Sequence, residues 1–223
     1  MNFNTAMFAP GVLYLSWCIL VIIALLALRK FPFQVILKEP LYQHLILSAS
    51  LALFCLWTLG IGLKGQNFEL HLLGVTVVLM LVGLPPALLA GAIALCVFNL
   101  SGQAPWDAFA LNYLLGIVLP LLISFAVLEF IRRLKQKNLF AFMLGGGFLG
   151  AIIARVVTTI IVYLMFMLSG DAELQRLLDN YLPWMFLIAF PEGFINGLVI
   201  SAISVYYPHW VRYLDEKRYI DQR

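Results

Sequence analysis

Residues 69–95 read ELHLLGVTVVLMLVGLPPALLAGAIAL. One carboxylate and one imidazole, Glu69 and His71, stand at the head of a run that is otherwise hydrocarbon and is broken only at Pro85–Pro86. The rest of the chain decides how to read it. Of 223 residues, 63% are hydrophobic and 11% charged, with a mean hydropathy of +0.98. Soluble domains average about 45–50% apolar and about 25% charged residues. A fold of this size cannot hide the excess, so the chain reads as an integral membrane protein. The runs are long and lack the two-residue alternation of a membrane barrel, so they read as helices.

Working outward from 69–95, seven spans are expected: 11–28, 44–63, 70–84, 86–100, 108–131, 139–168 and 181–207. The third and fourth fall short of the ~20 residues of a full crossing. The whole chain, 1–223, is read as one membrane domain with a tail from about 208 to 223. No basic residue precedes the first run, and Arg29–Lys30 follow it. That is the reverse of a signal peptide, so the run is expected to stay as a helix. Cys18, Cys55 and Cys96 lie far apart within apolar runs and are read as packing residues.

Basic residues orient the chain. Eleven of the 14 lie in loop 29–43 (Arg29, Lys30, Lys38), loop 132–138 (Arg132, Arg133, Lys135, Lys137) and the tail (Arg212, Lys217, Arg218, Arg223). An odd number of spans puts all three on one face, read as cytoplasmic. The N-terminus is then outside, the C-terminus inside, and the chain a multi-pass protein of the cell (inner) membrane. The net charge of +3 gives no case for nucleic acid. Membrane lipid is the surrounding partner.

His71 then falls at the outer mouth of the third span, where an imidazole can meet an incoming cation. It reads either as a metal ligand or as a hydrogen-bonding group. Positions i+3 and i+4 are Gly74 and Val75. Further ligands must therefore come from Glu69, Asn112, the N-terminal segment or backbone carbonyls. Ionisable groups at membrane depth are functional candidates by default. Arg155 and Glu192 lie near the middle of adjacent antiparallel spans. They read as a buried ion-pair clamp or as the polar floor of a substrate cavity, with Asn196 four residues on and on the same face as Glu192. Glu129 is expected to pair with Arg133 at the membrane surface. Gly193 and Gly197 form a small-residue ridge that matches one through Gly146 and Gly150. These ridges serve helix packing or the docking of a partner subunit. No P-loop, GxSxG, HExxH or dinucleotide fingerprint occurs, so the chain is read as a non-enzyme without an intrinsic cofactor.

The segment HLLGVTVV (71–78) resembles the CbiM family at the point where a histidine and a small-residue turn open a helix. These proteins are the substrate-capture membrane components of energy-coupling-factor cobalt and nickel transporters. LNYLLGIVLPLL (111–122) is similar to the family's Gly-Ala-Asn stretch, with Asn112 in the asparagine position. PEGFINGLVIS (191–201) is similar to its Glu-Gly-Leu helix, with Glu192 and Gly193 matching. The likeness covers roughly residues 70–205. It implies capture of a divalent cobalt or nickel ion as substrate beside His71, and transport that needs an energy-coupling permease and ATPase subunits. Two features depart from the family. The chain begins MNFNTAM rather than Met-His-Ile, and Arg155 stands where the family places an acidic or small residue. The competing reading is a non-transporting membrane scaffold or assembly factor.

Overall fold

The computed structural model describes residues 2–3, 8, 10–62, 68–134, 138–169, 182–184 and 186–214. The fold is essentially all-helical. Helix α1 (Pro10–Arg29) is followed by a short α2 (Phe33–Lys38) and by α3 (Pro40–Thr58). A four-residue link precedes α4 (Val75–Val82), and α5 (Leu84–Leu100) follows at once. Helix α6 runs over Trp106–Arg133, α7 over Ala141–Leu149 and Gly150–Ser169, and α8 over Ala189–Tyr206. Three short strands, β1 (Asn2–Phe3), β2 (Ile61–Gly62) and β3 (Phe68–Leu70), form an antiparallel sheet in the order β1-β3-β2. Asn2 and Gly62 both pair with Glu69, so the N-terminal strand lies two residues from His71.

Among the described residues, five segments are long and apolar enough to cross a membrane: Pro10–Arg29, Pro40–Thr58, Trp106–Arg133, Ala141–Met165 and Leu182–Tyr206. Helix α5, with 17 residues, is shorter, and the expected span at 70–84 needs correction. Only Val75–Val82 is helical there, about 12 Å long at 1.5 Å per residue, less than half a crossing. Strand β3 and the non-helical link 71–74 take up the remainder. The break between α4 and α5 also moves. Gly83, at φ +88°, makes the turn, and Pro85–Pro86 fall in the first turn of α5. Proline is at home there, because its missing N–H has no helical partner to lose.

Helix α4 is apolar on every side, and all its residues except Val77 are buried. A helix of that kind belongs inside a bundle. Around it pack α3, α5, α6 and α8. Helix α1, by contrast, buries only Ser16 and stands at the rim. Cys18 and Cys55 are exposed there and on α3, so neither is the packing residue expected from its apolar run. Two stretches wind wider than an α-helix. Leu114–Val118 lies just before Pro120, whose ring would press on the carbonyl of residue 116 in a regular helix. Ala141–Leu149 contains the three consecutive glycines.

At one end of the bundle the N–H of Arg212 donates to the Leu81 carbonyl at 3.1 Å. Arg212 stands 5.8 Å from the Tyr42 ring, and Arg132 5.2 Å from the Tyr213 ring. The described basic residues of α2, α6 and the tail thus gather at the end where α4 turns into α5. Glu129 pairs with Arg133 at 3.2 Å, as its spacing predicts, and with Arg132 at 3.0 Å.

Candidate functional site

The link His71–Leu72–Leu73–Gly74 contains no Ser, Thr, Asp or Asn to cap the helix it opens, and α4 has no cap from its own flank. The first N–H groups of a helix still need acceptors. They are supplied by α8. Glu192 accepts from the N–H of Leu73 through Oε2 at 2.6 Å and from the N–H of Gly74 through Oε1 at 2.8 Å. One turn on, Asn196 Oδ1 accepts from the N–H of Val77 at 3.0 Å. Asn196 Nδ2 donates back to the Glu192 carbonyl at 2.7 Å and to Oε1 at 2.8 Å, which fixes the amide's orientation. A carboxylate at a helix N-terminus also meets the positive end of the helix dipole.

The carbonyls of the link are held from other sides. Arg155 Nη1 on α7 donates to the His71 carbonyl at 3.2 Å, and Trp57 Nε1 on α3 donates to the Leu73 carbonyl at 3.1 Å. Gly74 sits at φ +70°, and a Cβ there would lie 2.8 Å from Leu56 Cδ2. The link therefore lies close against α3, and a side chain at 74 would push it away.

His71 is buried, and its ring centroid lies 5.5 Å from that of Trp57. Its Nδ1 is 2.9 Å from the Leu72 carbonyl. A carbonyl only accepts, so Nδ1 carries the proton, and in the neutral ring Nε2 holds the lone pair. Metal-binding histidines are commonly oriented by a bond of this kind from the other ring nitrogen.

Arg155 and Glu192 do not form the direct pair expected from their depths. The ion pairs among the described residues are those of Glu129. Each charge instead grips the backbone of 71–74, one from its carbonyl side and one from its amide side. Arg155 is fully buried, and its Nε and Nη2 have no partner; nor do the buried hydroxyls of Thr158 and Thr159 on the same helix. Asn112 is buried in α6, on a turn that packs against β1. Glu69 is the central residue of the small sheet, and its side chain lies outside the described residues. Among the described residues, no three His, Cys, Asp or Glu side chains cluster as a metal site.

The glycines pack within the chain. A Cβ on Gly193 would meet the Phe148 carbonyl oxygen at 2.8 Å, and one on Gly197 would meet Phe148 Cβ at 2.8 Å. Gly147, not Gly146 or Gly150, faces Gly197 and Ile200. Gly146 lies against Leu128 and Met80, and Gly150 near Val127 and Thr76. Residues that the sequence reading did not single out also hold the site. One is Trp57, whose polar edge in an apolar run was the available signal. Another is Thr76, whose hydroxyl meets that of Ser124 at 2.8 Å, with both residues buried. Thr76→Val leaves Ser124 without this partner and is expected to cost about 1 kcal/mol, read by thermal unfolding in detergent.

The family model for the cobalt uptake substrate-specific transmembrane region, CbiM, matches residues 7–210. The chain belongs to the CbiM family. Two solved structures share the fold. A transition metal transporter aligns with a TM-score of 0.69 at 19% identity, covering 92% of this chain and 93% of that one. A truncated transition metal transporter aligns with a TM-score of 0.69 at 19% identity, covering 94% and 98%. No curated protein matches the chain.

Proposed function

We propose that this CbiM-family chain is the substrate-capture membrane component of a transporter for a divalent transition-metal ion of the cobalt and nickel class. His71 ligates the ion through Nε2. Donors from the N-terminal segment and from Glu69 complete the set, and separate permease and ATPase subunits energise transport. One observation carries the reading: the buried His71 link is pinned by side chains from three helices, while β1 pairs beside it at residue 69. A pinned backbone with an oriented imidazole suits an ion that demands fixed donor geometry. Asn2 stands where the family's Met-His-Ile start provides an imidazole, so backbone groups of that segment carry more of the ligation here.

The α4–α5 pair and the five long helices together make seven passes in this reading. The end holding Tyr42, Arg132 and Arg212 then faces the cytoplasm of a cell with an inner membrane, which leaves His71 on the outward side. The test is titration calorimetry with nickel and cobalt in detergent, on the purified chain and on His71→Ala. The chain is expected to bind one ion saturably, and His71→Ala to lose at least about tenfold in affinity. Absence of saturable binding by the unaltered chain overturns the proposal.

A further inference from the structure

A groove of about 370 Å³ runs between α3, α4 and α8. Its walls include Ala49, Leu53, Val78, Val199 and Ile203; Gly74 and Leu56 mark one end and Leu45 and Trp210 the other. Two lining residues are polar, and both are satisfied internally. Ser48 Oγ bonds to the His44 carbonyl at 2.6 Å, and the Asn196 amide is engaged with Val77 and Glu192. The groove therefore offers nothing to a polar ligand and suits hydrocarbon. Ser48, Ala52 and Ile195 are exposed along it, so it opens sideways. In a membrane-spanning bundle, that side faces the acyl chains.

Its dimensions select among apolar occupants. From Leu45 to Leu56 the α3 wall is about 16 Å long at 1.5 Å rise per residue. Dividing the 370 Å³ by that length gives a mean cross-section of about 23 Å². A helix about 10 Å across needs roughly 80 Å². A single hydrocarbon chain, with neighbouring carbons at about 3.5–4 Å, needs roughly 20 Å². The groove has the width of a methylene chain and cannot enclose a whole helix.

The Trp210 end has a charge to match a headgroup. Arg212, two residues beyond, is exposed and donates from Nη1 to the Tyr42 hydroxyl at 3.2 Å. Its own N–H is tied to the carbonyl of Leu81, a groove residue, and Tyr42 lies one turn before Leu45. Trp210 stacks on Tyr207 at 4.5 Å, the kind of aromatic pair that sits at headgroup level. We propose that this groove is a specific phospholipid site, with one acyl chain lying between α3, α4 and α8 and an anionic headgroup phosphate held by Arg212.

The test is native mass spectrometry of the purified chain with phosphatidylglycerol and phosphatidylcholine of identical oleoyl chains. The unaltered chain is expected to retain one lipid and to favour phosphatidylglycerol by about fivefold. Ala52→Trp and Val199→Trp, which fill the groove, should each lose the retained lipid. Leu47→Trp, exposed on α3 outside the groove, should keep it and controls for folding. Arg212→Gln should keep an acyl chain but lose the headgroup preference. Lipid retention unchanged in both filling variants overturns the site. Equal retention of the two lipids by the unaltered chain overturns the headgroup assignment. Protein cross-linking at Ala52 in native membranes, in place of lipid retention, assigns the groove to a partner subunit and also overturns the proposal.

Discussion

Glu192→Ala is expected to destabilise the folded chain by about 3–5 kcal/mol and to abolish metal capture in the molecules that stay folded. Two losses add up. The N–H groups of Leu73 and Gly74 lose a charged acceptor, worth about 1.5–3 kcal/mol each. Arg155, fully buried and bonded to the same link from its carbonyl side, is left without the opposite charge on the amide side. Glu192→Gln separates the two effects. The amide keeps the volume and can keep an oxygen toward Gly74 and Asn196, but it turns a donor toward the N–H of Leu73 and removes the charge. If the bonds dominate, Gln recovers most of the loss; if the charge dominates, Gln resembles Ala. Thermal unfolding in detergent reads the stability, and nickel titration reads the capture. His71→Ala is the control. It removes one neutral bond, from Nδ1 to the Leu72 carbonyl, and leaves the anchors from α3, α7 and α8 in place, so its unfolding should shift less than that of Glu192→Ala. Glu192→Ala with unchanged unfolding and unchanged nickel affinity would show that α8 does not hold the link.

The sequence makes the bundle visible because hydropathy reports depth directly: α1, α3, α6 and α7 lie where their apolar runs lie. It cannot show where a helix begins inside a run that is apolar throughout. Residues 71–82 are nearly uniform in hydropathy, yet the first four are outside any helix and the last eight helical. The reason for that boundary lies at Glu192, 118 residues from Gly74, and is a tertiary cap with no local signal. Arg155 and Glu192 stood out as charges at depth. That they hold a backbone segment, not each other, follows from where the 71–74 link runs between α3, α7 and α8.

The glycine ridge failed in phase for a related reason. Extending a 3.6-residue period through 141–149 pairs Gly146 and Gly150, but this stretch is wound wider than an α-helix. The face presented to α8 therefore shifts to Gly147 and Phe148. Glycine content marked the close approach of two helices, whereas the register depended on backbone winding that composition does not encode.

The two buried charges are unequal, and a double-mutant cycle should expose the inequality. Glu192 is satisfied without Arg155: it accepts from two backbone N–H groups and the Asn196 amide at the start of α4. Arg155 has one bond, to the His71 carbonyl, and two unpartnered donor groups. It is the half-satisfied member and depends on Glu192 more than Glu192 depends on it. Arg155→Met alone should therefore change stability by no more than about 1 kcal/mol, in either direction, because the desolvation cost of a half-satisfied buried cation is removed together with its bond to the His71 carbonyl. In the Glu192→Ala background the same change should recover about 1–3 kcal/mol, since it removes a stranded cation. Unfolding of the four variants gives the coupling energy. A coupling near zero would mean that Arg155 is neutralised by something other than Glu192. A double variant less stable than Glu192→Ala would mean that the bond to His71 outweighs the buried charge.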